Sequence, residues 1–140
     1  MRILFGCKLV SVLIFSGFFP GFAQADEADV VSATIKETAP GVYTISAEVK
    51  HADTGWDHYA DGWEVVGPDG KVIATRELAH PHVNEQPFTR SKSGIRIPKG
   101  ITEVTIRARD SVHGHGGKSV TLAVPGVEPA IEPAIEPARP

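Results

Sequence analysis

The chain has 140 residues, a formal net charge of −3 and 41% hydrophobic residues. An acidic balance without a basic patch argues against a nucleic-acid partner. Between two unusual ends lie about 100 residues, the size of one ordinary domain. Cys7 is the only cysteine, so a disulfide within the chain is excluded.

The first 25 residues predict a signal peptide. An apolar run over residues 9–19 follows basic residues and precedes Ala23-Gln24-Ala25, which fits a signal-peptidase site. The run is shorter than the roughly 20 residues of a transmembrane helix, which argues against the alternative of an uncleaved anchor. We therefore expect a periplasmic or secreted protein that begins at Asp26 and keeps neither a membrane span nor Cys7.

The carboxyl terminus is a short repeat of Glu-Pro-Ala with proline at every fourth position. Proline at this density is incompatible with a helix or a sheet ladder, so an extended, solvated tail is predicted. The alternative is a tail that binds a partner or the cell wall. The predicted division is a signal peptide (1–25), a β-sandwich domain (26–125) and a disordered Pro/Glu/Ala-rich tail (126–140).

The middle of the chain alternates between apolar and polar residues. Tyr43, Ile45, Ala47 and Val49, for example, would share one face of a strand. Turn signals rich in proline and glycine separate seven such segments, and no helical pattern stands out. The predicted strands cover residues 29–37, 43–50, 63–66, 71–79, 88–97, 102–109 and 120–124. This spacing predicts an all-β fold, a seven-stranded antiparallel immunoglobulin-like sandwich.

Strand direction predicts where the connections lie. If each strand reverses the last, connections 38–41, 67–70 and 98–101 fall at one end as tight turns. The longer connections 51–62, 80–87 and 110–117 fall at the other end. These three contain all six histidines of the chain: His51, His58, His80, His82, His113 and His115.

Histidines gathered with carboxylates indicate a transition-metal site, because imidazole is the commonest protein metal ligand. His80-Pro81-His82 and His113-Gly114-His115 each place two imidazoles on one side of an extended segment. The predicted ligands are His51, His58, His80, His82 and His113. Asp110 is predicted as a further ligand or as a partner that orients an imidazole. Copper or iron is the favoured ion, and zinc is the alternative.

Other interpretations of the same residues stay open. The imidazoles of His80 and His82 could simply bond Glu85 or backbone groups, and the glycine-flanked His113 and His115 could lie in solvent. The aromatic residues Trp56, Tyr59 and Trp63 could wedge the loops onto the sandwich. We find no motif for a Ser–His–Asp triad and no spacing that defines a carboxylate pair, so whether the protein is an enzyme stays open.

Two families resemble parts of this chain. Lys50-His51-Ala52-Asp53-Thr54-Gly55 resembles the K-H-P-M-E-T-G segment of the Z subunit of the thiosulfate-oxidising carrier complex. Pro87-Phe88 falls about where that family has Asn-Pro-Tyr or Asn-Pro-Phe. This resemblance implies an immunoglobulin-like periplasmic subunit that docks a partner protein.

The second resemblance is to the iron domain of superoxide reductase (desulfoferrodoxin). His51, His58-Tyr59 and Trp63 resemble a histidine followed by His-Tyr-x-x-Trp, with one extra residue before the tryptophan. Residues 110–114 align with that family's Cys-Asn-x-His-Gly motif, and Asp110 stands where the cysteine would be. The resemblance implies that His51, His58 and His113 share a metal. The family has a further histidine ligand before the one that matches His51, and in this chain His80 or His82 would take its place. Without the thiolate it does not imply superoxide reduction.

Two functional hypotheses follow from these patterns. The first is a periplasmic β-sandwich that binds a transition metal at its histidine-bearing end and acts in metal handling or redox chemistry. The second is a non-catalytic module in which the aromatic loop from His51 to Trp63 docks a periplasmic protein, with the histidines lending polar contacts or a pH response.

Overall fold

A computed structural model describes residues 26–127, which form two antiparallel β-sheets without a helix in that range. The strands are β1 (Asp29–Ala39), β2 (Val42–Lys50), β3 (Ala60–Val66), β4 (Val72–Glu77), β5 (Phe88–Arg96), β6 (Glu103–Asp110) and β7 (Val120–Ala123). The predicted all-β sandwich of seven antiparallel strands is therefore confirmed.

The two sheets contain three and four strands. The first has the order β1-β2-β5 and the second the order β4-β3-β6-β7. Strand β4 pairs with β3, as the C′ strand does in variable-type immunoglobulin domains. Strand β2 lies inside its sheet, so Val49 near its end pairs with both neighbouring strands. Asp110, at the end of β6, pairs with Ala60 of β3 and with Gly114.

The core lies between the sheets and follows the alternation of the sequence. Tyr43, Ile45, Ala47 and Val49 of β2 are buried, while the residues between them are partly exposed. In β6 the buried positions are Val104, Ile106, Ala108 and Asp110. The inward faces of these two strands therefore have a period of two residues.

Short connections close one end of the sandwich, which we call the turn end (residues 40–41, 67–71 and 97–102). The Gly67 amide donates to the Lys71 carbonyl over 2.9 Å. Gly70 has a φ of 80° in this turn, a conformation that favours glycine.

The opposite end, which we call the histidine end, is formed by connections 51–59, 78–87 and 111–119. All six histidines lie in these segments. The predicted separation between a turn end and a histidine end is therefore confirmed within residues 26–127.

The described chain enters the sandwich at the histidine end and leaves it at the turn end. The Asp26 carboxylate accepts the Ala52 amide over 2.8 Å, and Asp29 accepts the Lys118 amide over 2.6 Å. Near the other terminus, the Tyr43 hydroxyl donates to the Pro125 carbonyl over 3.1 Å.

The signal peptide (1–25) lies outside the described residues, and so does most of the predicted tail, from residue 128 onward. Both remain predictions. Among the described residues, no helix is long and apolar enough to cross a membrane.

Candidate metal centre

His51 and Asp110 continue the inward faces of β2 and β6. His51 follows the buried Val49 by two residues and lies just past the end of β2, and Asp110 follows Ala108 by two residues at the end of β6. Their exposed fractions are 1% and 3%. The two-residue period that buries apolar side chains thus also points an imidazole and a carboxylate between the sheets.

His58 completes a cluster of three potential ligands. Its Nε2 lies 3.2 Å from His51 Nε2 and 3.1 Å from Asp110 Oδ1. A tight turn holds the residue, because the His58 amide donates to Gly55 O and His58 O accepts the Thr54 amide. One donor atom from each of the three residues lies within 4.8 Å of the others.

The Asp53 carboxylate orients the His51 ring. Its Oδ1 lies 2.6 Å from His51 Nδ1, and since a carboxylate accepts, the imidazole proton belongs on Nδ1. The lone pair of His51 is then on Nε2, facing His58. Asp53 also accepts the amides of Ala60 at 2.9 Å and His82 at 2.7 Å. A carboxylate behind a ligating imidazole is a common outer partner in metal sites.

The two oxygens of Asp110 have different surroundings. Oδ1 accepts the amides of Val112 and His113 at 2.9 and 2.7 Å. Burial raises the pKa of Asp110, but these amides, with the charges of His113 and His51, lower it below its ordinary value overall. Oδ2 is buried and has no hydrogen-bond partner among the described residues. An unsatisfied buried carboxylate oxygen is costly, and a bound cation would satisfy it.

His113 adjoins the cluster through Asp110. Its Nδ1 donates to Asp110 Oδ1 over 3.0 Å, and its ring centroid lies 4.9 Å from that of His58. Gly114 has a φ of 74° and pairs with Asp110 through two backbone hydrogen bonds. This tight loop returns the His113 side chain to the carboxylate.

His82 has other partners. Its ring stacks on Phe88 with centroids 3.8 Å apart. Its Nε2 accepts from Arg90 Nη2 over 3.0 Å. The proton is then on Nδ1, which is buried and has no partner in the described part of the chain. Burial lowers the pKa of His82, and Arg90 and His80 lower it further, against smaller opposite effects of Glu85 and Asp53.

His80 and His115 lie away from the cluster of His51, His58 and Asp110. His80 is exposed, and its Nδ1 donates to the carbonyl of Pro81 over 3.1 Å. His115 Nδ1 donates to Ala108 O over 3.0 Å, and its Nε2 lies 3.3 Å from Glu64 Oε2. The structure thus brings together three of the five predicted histidine ligands, His51 and His58 directly and His113 through Asp110.

The aromatic residues Trp56, Tyr59 and Trp63 separate into two groups. Trp63 is fully buried in the core, on β3. Trp56 is 68% exposed and packs edge-to-face on Tyr59 with ring centroids 5.6 Å apart. Trp63 therefore packs into the sandwich, whereas the ring of Trp56 is exposed to solvent.

Two residues that support His51 were not predicted to do so. Besides Asp53, the Gln86 side chain accepts the His51 amide over 3.0 Å and donates to His82 O over 3.2 Å. The spacing His51-x-Asp53 was a usable signal, because alternate residues of an extended segment share a side. No sequence signal marked Gln86, because its partner is a backbone group of a distant loop.

The geometry would allow a metal cation to replace the proton on His58 Nε2. Both His51 Nε2 and Asp110 Oδ1 accept, and both face the single Nε2 of His58. Metal–nitrogen bonds of about 2.0–2.1 Å to donors at such separations would enclose an angle of about 100°. That angle lies between octahedral and tetrahedral values, so the three residues could hold a metal ion.

Replacing Asp53 tests its role behind His51. Asp53→Ala leaves the His51 ring, the Ala60 amide and the His82 amide without their acceptor. Each unsatisfied buried donor costs about 1–3 kcal/mol, so we expect the free energy of unfolding to fall by at least about 2 kcal/mol in urea titrations. Asp57→Ala, in the same loop but exposed, is the matched control. Equal stability of the two variants would contradict this role.

The environment of His82 predicts an acid-sensitive fold. Because the folded state binds this proton less readily than the unfolded chain, the free energy of unfolding should fall as pH drops below the ordinary pKa of 6.5. One such group contributes at most about 1.4 kcal/mol per pH unit. In urea titrations between pH 7.5 and pH 5, the slope of the free energy of unfolding against pH should be smaller for His82→Gln than for the exposed control His80→Gln. Identical slopes would refute the assignment.

The chain is similar to a protein of Halomicrobium mukohataei that is named "Putative lipoprotein". The two are 38% identical over 96 residues, which make up 69% of this chain and 47% of the relative. The chain thus spans about half the length of the curated relative that it matches. No protein-family model and no solved structure matches the chain.

Proposed function

We propose that this protein is an extracytoplasmic β-sandwich that binds a transition-metal ion through His51, His58 and Asp110. The observation that supports it best is the convergence of three donor atoms within 4.8 Å of one another beside a buried carboxylate oxygen that has no partner within residues 26–127.

The donor set favours certain ions. Two imidazole nitrogens and one carboxylate suit ferrous iron, for which this combination with open positions is typical, and also suit copper and zinc. No thiolate or thioether belongs to the cluster, which disfavours a cuprous ion. We therefore place ferrous iron first, and the role of the protein is metal handling or redox chemistry.

The location outside the cytoplasm is supported by two independent features. The first 25 residues have the composition of a signal peptide, and the relative from Halomicrobium mukohataei carries the name of a lipoprotein.

Metal titration with matched variants tests the proposal. Purified residues 26–140 should bind one ferrous, cupric or zinc ion per chain, measured anaerobically for iron by calorimetry and metal analysis. His51→Ala and Asp110→Ala remove a ligand and should weaken binding more than the roughly 10- to 100-fold loss typical of an outer partner. The loss of metal affinity in Asp53→Ala should fall within this 10- to 100-fold range.

The control for this titration is His115→Ala, which removes an imidazole that faces Glu64 and Ala108 O. It should bind metal as the unmodified protein does. If His51→Ala and His115→Ala lower the affinity equally, or neither changes it, the metal site is not the one proposed.

A second candidate function is supported by the exposed apolar side chains. Trp56, Val83 and Val112 are 68%, 51% and 58% exposed, and each lies in a different connection of the histidine end. Exposed apolar groups gathered in one region are typical of protein-binding surfaces. We propose that this surface docks a partner protein, as an alternative or an addition to metal binding.

Substitution of Trp56 separates the two functions. Trp56→Ala removes the largest exposed ring without touching His51, His58 or Asp110, so metal affinity should stay unchanged. Capture of a stoichiometric partner from the native extracytoplasmic fraction should be lost, as judged against Val72→Ala, which changes an exposed residue of β4. Capture that survives Trp56→Ala would exclude this surface as the docking site.

A further inference from the structure

The three ligands proposed above are buried to different degrees. The side chains of His51 and Asp110 are 0% exposed. The side chain of His58 is 22% exposed, and that of the adjoining His113 is 27% exposed. A metal held by these ligands would therefore be closed off on the side of the core and accessible on the side of His58 and His113.

The described residues supply three donors, which is fewer than a closed site uses. Structural zinc sites bind four protein ligands, whereas reactive sites bind three and leave a position for water or substrate. The group formed by His51, His58 and Asp110 offers three ligands, as reactive sites do.

His113 is held as a partner of Asp110. Its Nδ1 lies 3.0 Å from Asp110 Oδ1, an oxygen that also accepts the His113 amide. Since the carboxylate accepts, the ring proton is on Nδ1 and the Nε2 lone pair is available. A neutral imidazole at the exposed side of a metal can accept a hydrogen bond from a metal-bound water molecule.

We propose, on the basis of the metal site in the proposed function, that the bound ion keeps an exchangeable coordination position on the side of His58 and His113. Water occupies this position, and small anions that donate oxygen or nitrogen replace it. The exchange breaks one metal–water bond and forms one metal–anion bond without electron transfer. His113 is a positioning residue that accepts a hydrogen bond from the water in this position, and it does not bind the metal.

The test uses the protein loaded with cobalt(II), whose visible spectrum reports the number and type of ligands, and azide as the probe. Residues 26–140 with one cobalt ion per chain should show a saturable spectral change on azide titration. His113→Ala should still bind one cobalt ion, and its azide dissociation constant should fall by about 10-fold, because the water that azide replaces has lost its hydrogen-bond acceptor; this is the lower end of effects seen for outer partners. His113→Gln, which keeps a hydrogen-bonding side chain, should recover part of that difference. His80→Ala is the matched control and should behave as the unmodified protein.

The possible results lead to different conclusions. If cobalt binds, azide leaves the spectrum unchanged and His113→Ala no longer retains the ion, then His113 is a fourth ligand and the open position is refuted. If cobalt binds and azide has the same affinity for His113→Ala and the unmodified protein, the positioning role of His113 is refuted. If none of iron, copper, zinc and cobalt binds, the proposed function itself fails. Metal analysis before the azide titration distinguishes this last case.

Discussion

The candidate site depends on strand alternation carried one step beyond the apolar core. Val49 and Ala108 are the last buried apolar residues of β2 and β6, and the next inward positions are His51 and Asp110. His51 directly follows β2 and Asp110 ends β6, so the two packed sheets place this polar pair between them. Buried polar groups must be paired to be tolerated, which explains why the surrounding loops supply so many hydrogen-bond donors and acceptors.

Much of this arrangement could be predicted from the sequence, because it depends on local pattern. The period of two in Tyr43–Val49 predicted β2, and Pro/Gly turns predicted the reversals that gather the histidines at one end. Which imidazoles converge could not be predicted in the same way. His82 lies in the right connection, yet its ring stacks on Phe88 and bonds Arg90, contacts that depend on the packing of β5. Asp110 was predicted as a ligand or an orienting group, and its carboxylate adjoins both His58 and His113.

The loops of the histidine end are joined chiefly by polar side chains rather than by a shared apolar core. Asp53 connects the His51 ring to the start of β3 and to the amide of His82, and Gln86 connects the same two histidines through their backbone groups. A disturbance of the 78–87 connection would therefore reach His51 by two routes. This linkage gives a physical reason for a rigid imidazole in a segment without regular secondary structure.

The two ends of the described chain lie at opposite ends of the sandwich. Asp26 bonds Ala52 in the histidine end, whereas Pro125 bonds Tyr43 beside the turns. Anything joined to the amino-terminal side of residue 26, whether a lipid, a fusion protein or an affinity tag, is tethered next to the imidazoles and can crowd them. Attachments after residue 127 start from the far side, with the whole length of the sheets in between. Linkage to a surface directly after residue 127 would therefore leave the histidine end facing outward.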